Sequence, residues 1–148
     1  MSSRATEATP DTAPGLDDVR AEFGPPEADV FARACVSRGI LEHVTGRWGS
    51  LALAALAEGA LRFNALRRKV DGVSEKMLAQ TLQTLERDGF VHREAELTIP
   101  PRVEYSLTPA GHAVAEKLVD LIEFVEARVP EVMTARARYD ATKLARPS

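Results

Sequence analysis

The segment from Arg62 to Gly89, RFNALRRKVDGVSEKMLAQTLQTLERDG, constrains the possible folds of this chain most strongly. Its pattern predicts a short helix, a tight turn at Asp71-Gly72 and a second helix with a polar face. The next segment, FVHREAELTIPPRVEYSL, predicts two strands, over 91–95 and 103–107, that are joined through Pro100-Pro101. A helix-turn-helix followed by a two-stranded wing is an arrangement that places one helix in the major groove of DNA. We therefore predict a mainly α, α+β fold of the winged helix-turn-helix type and a sequence-specific DNA-binding regulator.

The second helix of this pair has the pattern of a recognition helix. Ser74 is a good N-cap, and Glu75 lies at the end of the helix where negative charge is favourable. Leu78, Leu82 and Leu85 recur with helical spacing, which predicts that their face is buried. The opposite face carries Lys76, Gln80, Gln83 and Arg87, and the flank between the two faces carries Met77, Thr81 and Thr84.

Side chains that bind DNA bases or phosphates are concentrated in and around this helix. Lysine donates to guanine or phosphate, glutamine pairs with adenine, and serine binds phosphate together with free backbone amides. The predicted DNA-contacting residues are Arg62, Arg67, Arg68, Ser74, Lys76, Met77, Gln80, Thr81 and Arg102. The simpler interpretation is a solvated surface, in which at least one of the first three arginines is only solvated or paired. Arg102 could likewise pair with a glutamate of the wing instead of reaching a minor groove or its phosphates.

The overall negative charge of the chain counts against a nucleic-acid partner, but this charge is unevenly distributed along the sequence. The chain has a net charge of -3. Residues 1–45 carry four basic and eight acidic side chains, a net charge of -4, whereas residues 62–105 carry eight basic and seven acidic ones, a net charge of +1. A near-neutral DNA-reading segment predicts modest non-specific affinity and binding through a few well-placed contacts.

The length of 148 residues predicts one domain with flanking segments. The composition of residues 1–24, which has little apolar material to bury, predicts a disordered tail. Residues 25–129 are expected to form the winged domain together with its flanking helices. The pattern predicts a first helix from Pro25-Pro26 to about Gly46, an apolar central helix over 48–57, and a long helix from Pro109 to about Val129. Pro130 is expected to break the long helix, which leaves a short C-terminal helix and a frayed end over 130–148.

Composition and motifs argue against membrane, metal and catalytic roles. The longest uncharged apolar run, Leu51 to Ala57, is too short to span a membrane, and the N-terminus lacks the features of a secretion signal. The single cysteine, Cys35, excludes an internal disulfide and indicates a reducing cytoplasm. The three histidines lack metal-ligand spacing, and no phosphate loop, nucleophile elbow or carboxylate pair is recognisable. We therefore expect neither an enzyme nor a bound metal or cofactor.

An ordered set of short motifs runs from about Cys35 to Val125, and it is specific as a set although each piece is weak. The set comprises Gly46-Arg47-Trp48, Gly59, Arg62-Phe63-Asn64, Leu66, Gly72, Ser74, Lys76-Met77-Leu78, Gln80, Leu82, Leu85-Glu86, Asp88-Gly89, Arg93-Glu94, Pro100-Pro101, Val103 to Thr108 and Gly111. In these residues the chain resembles the HxlR-type winged-helix transcriptional regulators. The segment PPRVEYSLT disfavours the nearest alternative, a relative of the MarR type.

The resemblance implies a homodimer with N- and C-terminal dimerisation helices, which binds a pseudo-palindromic operator on double-stranded DNA. Apolar seams in the first helix and in the last long helix agree with this implication. The predicted dimer-interface residues are Val30, Phe31, Ala34, Leu41, Val114, Leu118, Leu121 and Val125. Each subunit would then read one half-site, and the two half-sites would be about one helical turn apart.

Cys35 has two interpretations. A free cysteine usually behaves as a small buried hydrophobe, and a helix that begins near Pro26 would place Cys35 in its middle. Some members of the family that the chain resembles sense electrophiles, quinones or disulfide stress with a cysteine at the matching position relative to Trp48. Val36 stands where a proline often follows that cysteine. Because the chain has no second cysteine, a Cys35 switch would need a small thiol, an electrophile or the partner's Cys35.

The sequence favours a cytoplasmic repressor over an activator. Such a dimer would cover a promoter, and an effector or a modification would change the spacing of its two recognition helices. The alternative is a winged-helix dimer that has lost DNA binding and acts as a protein-interaction or small-molecule-sensing module. The modest local charge supports this alternative, and a steep salt dependence of DNA binding would argue against it.

Overall fold

The structure of the protein is a computed structural model that describes residues 29–146. The described residues belong to two units, 29–41 and 42–146. Helix α1 (Val36–Thr45) begins in the first unit and ends in the second. The predicted tail over 1–24 and the helix start at Pro25-Pro26 lie outside the described residues.

The described part of the first unit begins with turns, not with a helix. The backbone N–H of Phe31 donates to the Asp29 carboxylate at 3.1 Å, and the backbone N–H of Cys35 donates to the Ala32 carbonyl at 3.1 Å. An aspartate that binds its own following backbone favours a turn over a helix. Helix α1 therefore begins only at Val36. The prediction of a continuous helix with Cys35 in its middle was wrong, because Cys35 immediately precedes the first turn of α1.

Apart from one additional short strand, the second unit has the predicted order of helices and strands. After α1 come α2 (Arg47–Leu56), β1 (Leu61–Arg62), α3 (Phe63–Lys69), α4 (Glu75–Arg87), β2 (Val91–Glu96), β3 (Arg102–Leu107), α5 (Pro109–Ala127) and α6 (Val129–Ala145). Helices α3 and α4 form the helix-turn-helix, and β2 and β3 form the wing. The predicted mainly α, winged helix-turn-helix fold is confirmed.

The wing is part of a three-stranded antiparallel sheet in the order β1-β3-β2. Strands β2 and β3 pair from Val91↔Leu107 to Glu96↔Arg102. The additional strand β1 pairs Leu61 with Tyr105 on β3. Sequence analysis predicted only two strands, because β1 has two residues and is defined solely by pairing with a distant partner.

The core lies between α2 and the helix-turn-helix. Helix α2 packs against α3, α4 and α5, which confirms its prediction as the central apolar helix. The largest fully buried side chains are Leu53, Leu56, Leu66, Leu78, Leu82 and Leu85. Three of these leucines form the predicted inner face of α4, so the opposite face of α4 points to solvent.

Pro130 does not shorten the C-terminal helix. It lies in the first turn of α6, where the missing N–H of proline is not needed for helical hydrogen bonding. Helix α5 ends at Ala127 and α6 begins at Val129, so the helix is interrupted where a break or kink was predicted. Helix α6 nevertheless has 17 residues, so the prediction of a short final helix was wrong. None of the residues of α6 is buried. Over residues 29–146, no helix is both long and apolar enough to cross a membrane.

Candidate nucleic-acid interface

Helix α4 is held at its start by its own cap and turn. The Ser74 hydroxyl accepts a hydrogen bond from the backbone N–H of Met77 at 3.1 Å, which satisfies one free donor of the first turn. Gly72 has φ +90° in the turn that separates α3 from α4, a backbone conformation that favours glycine. With its leucines buried, α4 presents Lys76 and Gln80 to solvent. These are the residue types that hydrogen-bond to bases and phosphates.

The three arginines predicted as backbone contacts lie along α3. Arg62 ends strand β1 and is the N-cap residue of α3, and Arg67 and Arg68 lie in the last turn of α3. All three side chains are exposed. The Arg67 guanidinium donates to the Glu75 carboxylate at 3.2 Å, so this arginine already has a partner on α4. Within residues 29–146, neither Arg68 nor Lys76 forms an ion pair.

An open cleft of about 770 Å³ follows the turn between α3 and α4. It is lined by Asn64, Arg67, Arg68, Asp71, Gly72, Val73, Ser74 and Glu75. We call it the turn cleft. It brings three predicted DNA-contacting residues together, but it also contains two carboxylates.

The remaining predicted contacts flank α4. Met77 is partly exposed, and Thr81 is half-buried. Arg102 begins β3, lies opposite Glu96 in the wing and is exposed. In the described part of the chain, Arg102 has no ion pair with any of the three wing glutamates. Leu97 and Ile99, in the loop that joins the two wing strands, are fully exposed.

A second cleft, of about 240 Å³, lies between the start of α2 and the part of α4 from Gln80 to Thr84. It is lined by His43, Gly46, Arg47, Trp48, Gly49, Gln80, Thr81 and Thr84. We call it the α2–α4 cleft. The Arg47 guanidinium lies 4.5 Å from the centroid of the Trp48 ring. Arg47 was not among the predicted site residues, because its only signal in the sequence is membership of the Gly46-Arg47-Trp48 motif. Its nearness to Gln80 arises only on folding.

Cys35 is buried, with 7% of its surface exposed. Its Sγ lies 2.9 Å from the Ser37 hydroxyl. This hydrogen bond is the main cause that lowers the pKa of the Cys35 thiol from its ordinary value, while burial acts in the opposite direction. A lowered thiol pKa increases the fraction of the reactive thiolate.

The residues predicted at a dimer interface differ in exposure. In the first unit Phe31, Ala34 and Leu41 are exposed and Val30 is half-buried. Leu118 is buried in the core of the second unit and Val114 packs against it, so both serve the fold of the subunit itself. Leu121 and Val125 are about half exposed, at 55% and 52%. Phe124 of α5 and Val129, Val132 and Met133 of α6 are also exposed.

Between Asp29 and Arg146 there is no cluster of three or more His, Cys, Asp or Glu side chains that could hold a metal ion. Two of the three histidines instead pair with single carboxylates. His43 Nδ1 lies 2.6 Å from Asp88 Oδ2, and His92 Nε2 lies 3.2 Å from Glu94 Oε2.

Comparison with known proteins agrees with this geometry. The family described as HxlR-like helix-turn-helix matches residues 43–133. The chain is 56% identical over 110 residues to the HTH-type transcriptional regulator YtfH of Escherichia coli strain K12, an alignment that covers 74% of this chain and 87% of the relative. The chain therefore belongs to the HxlR-like helix-turn-helix family, and it is a transcriptional regulator with a helix-turn-helix domain. The resemblance predicted from its motifs is confirmed.

Solved structures of similar proteins have the same fold. The transcriptional regulator ytfH from Salmonella typhimurium superposes with a TM-score of 0.70 at 53% identity, over 72% of this chain and 96% of that one. The redox regulator HypR in its oxidized form superposes with a TM-score of 0.58 at 34% identity, over 63% of this chain and 96% of HypR. Diamide-treated YodB from B. subtilis has a TM-score of 0.54 at 26% identity, over 65% of this chain and 96% of YodB.

Proposed function

We propose that the protein is a sequence-specific DNA-binding repressor that acts as a cytoplasmic homodimer on a pseudo-palindromic operator. The observation that carries this proposal is the two-sided character of α4. Its leucines are buried, and its exposed face presents Lys76 and Gln80 to solvent. A helix of this kind, followed by a wing, enters the major groove in winged helix-turn-helix proteins.

Within this proposal the predicted DNA contacts have different roles. Lys76 and Gln80 bind base edges, while Ser74 and Arg68 bind phosphates at the turn cleft. Arg102 extends from the wing toward a neighbouring minor groove. Arg67 contributes less, because its guanidinium is paired with Glu75. Met77, Thr81 and Arg62 lie at the margin of the contact area.

The apolar surface at the junction of α5 and α6 supports the homodimer. Leu121, Phe124, Val125, Val132 and Met133 expose large side chains along one stretch of chain. Contiguous apolar surfaces of this kind are typical of protein–protein contacts. Dimerisation through these helices would set the distance between two recognition helices, and repression would follow from steric coverage of a promoter.

Cys35 is the proposed regulatory thiol. It precedes the first turn of α1, its pKa is lowered, and similar structures include a protein named as a redox regulator. In the reaction we propose, the thiolate attacks the β-carbon of an α,β-unsaturated carbonyl compound, and a C–S bond forms as the C=C π bond breaks to give an enolate. The enolate then takes a proton from water at its α-carbon, which leaves hydroxide and the thioether adduct. The added group then disturbs the start of α1 and, through it, the spacing of the half-sites.

The test is binding of the reduced protein to DNA from its own promoter region, before and after treatment with such an electrophile. We expect specific binding that treatment abolishes in the wild type but not in Cys35→Ser. Binding that treatment leaves unchanged would retain the repressor and remove Cys35 from its regulation. If the promoter is not bound, selection from random DNA decides whether any operator exists.

A second candidate function is a winged-helix dimer without DNA affinity that binds a protein or a small molecule. Its support is the charge of residues 62–105, which is only +1. The salt dependence of DNA binding separates the two candidates. A repressor loses affinity steeply as salt rises because it releases counterions from phosphates, whereas the second candidate has no affinity to lose.

A further inference from the structure

We infer that the α2–α4 cleft binds a backbone phosphate of the operator and that Arg47 is the residue that contacts it. This inference rests on the proposed DNA-binding function and adds a contact outside the helix-turn-helix and the wing. The Gly46-Arg47-Trp48 motif, which has no part in the contacts described so far, lines this cleft.

The chemistry of the lining favours an anion. The side chains around the cleft are the guanidinium of Arg47, the imidazole of His43, the indole of Trp48, the amide of Gln80 and two threonine hydroxyls. None of these residues is a carboxylate. Asp88, which lies nearby, is bound by His43 at 2.6 Å and is not among the lining residues. The first turn of α2 also lines the cleft, and its backbone N–H groups add partial positive charge.

Arg47 is available and held in place. Its side chain is exposed, and it forms no ion pair with any residue between Asp29 and Arg146. Its guanidinium lies over the Trp48 ring, 4.5 Å from the centroid, which restricts its rotamers before any ligand binds. A planar guanidinium that stacks on a ring still has N–H donors at its edge, and these suit phosphate oxygens.

The position of the cleft identifies the phosphate as one from DNA. Gln80 and Thr81 line the cleft and are also predicted contacts of α4. A DNA duplex that places a base edge at Gln80 has its sugar-phosphate backbone along the flank of α4, because the backbone borders the major groove. Arg47 stands at that flank, so the nearest phosphate beside the base read by Gln80 is its expected ligand.

The turn cleft, where Ser74 and Arg68 are proposed to contact phosphates, offers an anion a less favourable lining than the α2–α4 cleft. It contains Asp71 and Glu75, and one of its two arginines is paired with Glu75 at 3.2 Å. A phosphate there would meet negative charge on two sides. The α2–α4 cleft has no such repulsion among its lining residues.

The first test is Arg47→Gln, compared with Arg136→Gln as the matched control. Arg136 is an exposed arginine of α6 that forms no ion pair within the described residues. The operator is selected from random DNA with the wild-type protein, and its affinity is measured over a range of salt concentrations. We expect Arg47→Gln to lower the affinity roughly tenfold or more, as expected when a hydrogen bond to a charged group is removed. We also expect the salt slope to fall by about 0.9 for each phosphate that the variant no longer neutralises.

The second test locates the contact on DNA. Each phosphate of one half-site is replaced in turn by an uncharged methylphosphonate, and all three proteins are titrated. At one position, substitution of the phosphate should lower the affinity of the wild type and of Arg136→Gln. The same substitution should leave the already weakened affinity of Arg47→Gln unchanged. Trp48 fluorescence and urea unfolding show whether the variant is folded.

The possible outcomes separate this inference from the proposed function. If the wild type binds and Arg47→Gln has the salt slope and phosphate profile of Arg136→Gln, the cleft does not hold a phosphate and the repressor proposal stands. If the wild type selects no DNA, both proposals are wrong. If one methylphosphonate weakens binding of the two proteins that retain Arg47 but not of Arg47→Gln, both proposals are supported.

Discussion

Gly111 joins the start of α5 to the segment between α4 and the wing. Its backbone N–H donates to the Thr108 hydroxyl at 3.0 Å, and this hydroxyl donates to the Gly89 carbonyl at 2.6 Å. A Cβ atom at position 111 would overlap the carbonyl oxygen of Phe90. The absence of a side chain therefore lets α5 lie directly against the backbone that leads into the wing.

We expect Gly111→Ala to destabilise the protein by about 1–3 kcal/mol, because the backbone at Phe90 must move to admit a methyl group. The free energy of unfolding in urea measures this change. Gly39→Ala is the control, since a Cβ there meets no atom within 4 Å and alanine favours a helix. Equal effects of the two substitutions would contradict the role given to Gly111.

Ser74 combines a structural and a proposed binding role, and two substitutions separate them. Ser74→Ala removes the cap of α4 and should cost about 1 kcal/mol, whereas aspartate still accepts the Met77 N–H and should retain stability. Aspartate also places a negative charge at the proposed phosphate site. We therefore expect Ser74→Asp to be more stable than Ser74→Ala, and Ser74→Ala to bind DNA more tightly than Ser74→Asp. The same order in both measurements would contradict the proposed contact.

The pKa of the Cys35 thiol should depend on Ser37. The Ser37 hydroxyl donates to the thiolate and stabilises the charged form, which lowers the pKa. Ser37→Ala should therefore raise the pKa and decrease the thiolate fraction at neutral pH. The ultraviolet absorbance of the thiolate, followed against pH with Cys35→Ser as the baseline, measures this directly because the chain has one cysteine. An unchanged pKa in Ser37→Ala would show that the hydrogen bond from Ser37 does not lower the pKa of the Cys35 thiol.

At the scale of elements, sequence predicted the parts that local interactions stabilise. The leucines of α4, its cap at Ser74 and the turn at Gly72 are encoded within a few residues of one another, and the structure confirms this helix. Strand β1 was missed because its two residues owe their conformation to β3. The start of α1 was misplaced because the turn at Asp29 replaces its first residues.

Helix α4 should determine which bases are recognised. We expect Gln80→Ala to relax the preference at one base pair of each half-site by about 1–3 kcal/mol, since alanine cannot form the bidentate hydrogen bonds to adenine. Selection of operator variants by the wild type and by Gln80→Ala measures this preference. Glu116→Ala, a truncation of similar size at an exposed residue of α5, should leave every base preference unchanged. A uniform decrease in affinity at all positions would indicate a phosphate contact instead.

At the scale of the whole molecule, the proposed operator binding requires two copies of the chain. Leu118 and Val114 belong to the core, so the apolar seam predicted for α5 is divided between folding and the proposed dimer. Leu121 and Val125 lie on the exposed part. The long α6 also exposes Val132 and Met133, which we assign to the same proposed dimer surface.

We expect the double substitution Leu121→Glu and Val125→Glu to convert a dimer into monomers, because four carboxylates per dimer would be buried without partners. Sedimentation equilibrium measures the molecular mass, and operator affinity should fall in parallel. Ala110→Glu at the exposed start of α5 is the control, because a negative charge is favourable there. A wild-type protein that is already monomeric would contradict the proposed interface.

The sequence by itself determined the winged helix-turn-helix fold, and its ordered set of motifs determined the family. The fold follows from periodicity, capping and turn residues, which act over a few positions of the chain. Only the tertiary structure decided that Arg67 is paired with Glu75, that Cys35 precedes α1, and that Arg47 lies beside Gln80. Arg47 and Gln80 are distant along the chain, and packing of α2 against α4 brings them together. Spacing in a sequence encodes one helix face, but it does not encode which other face will lie opposite.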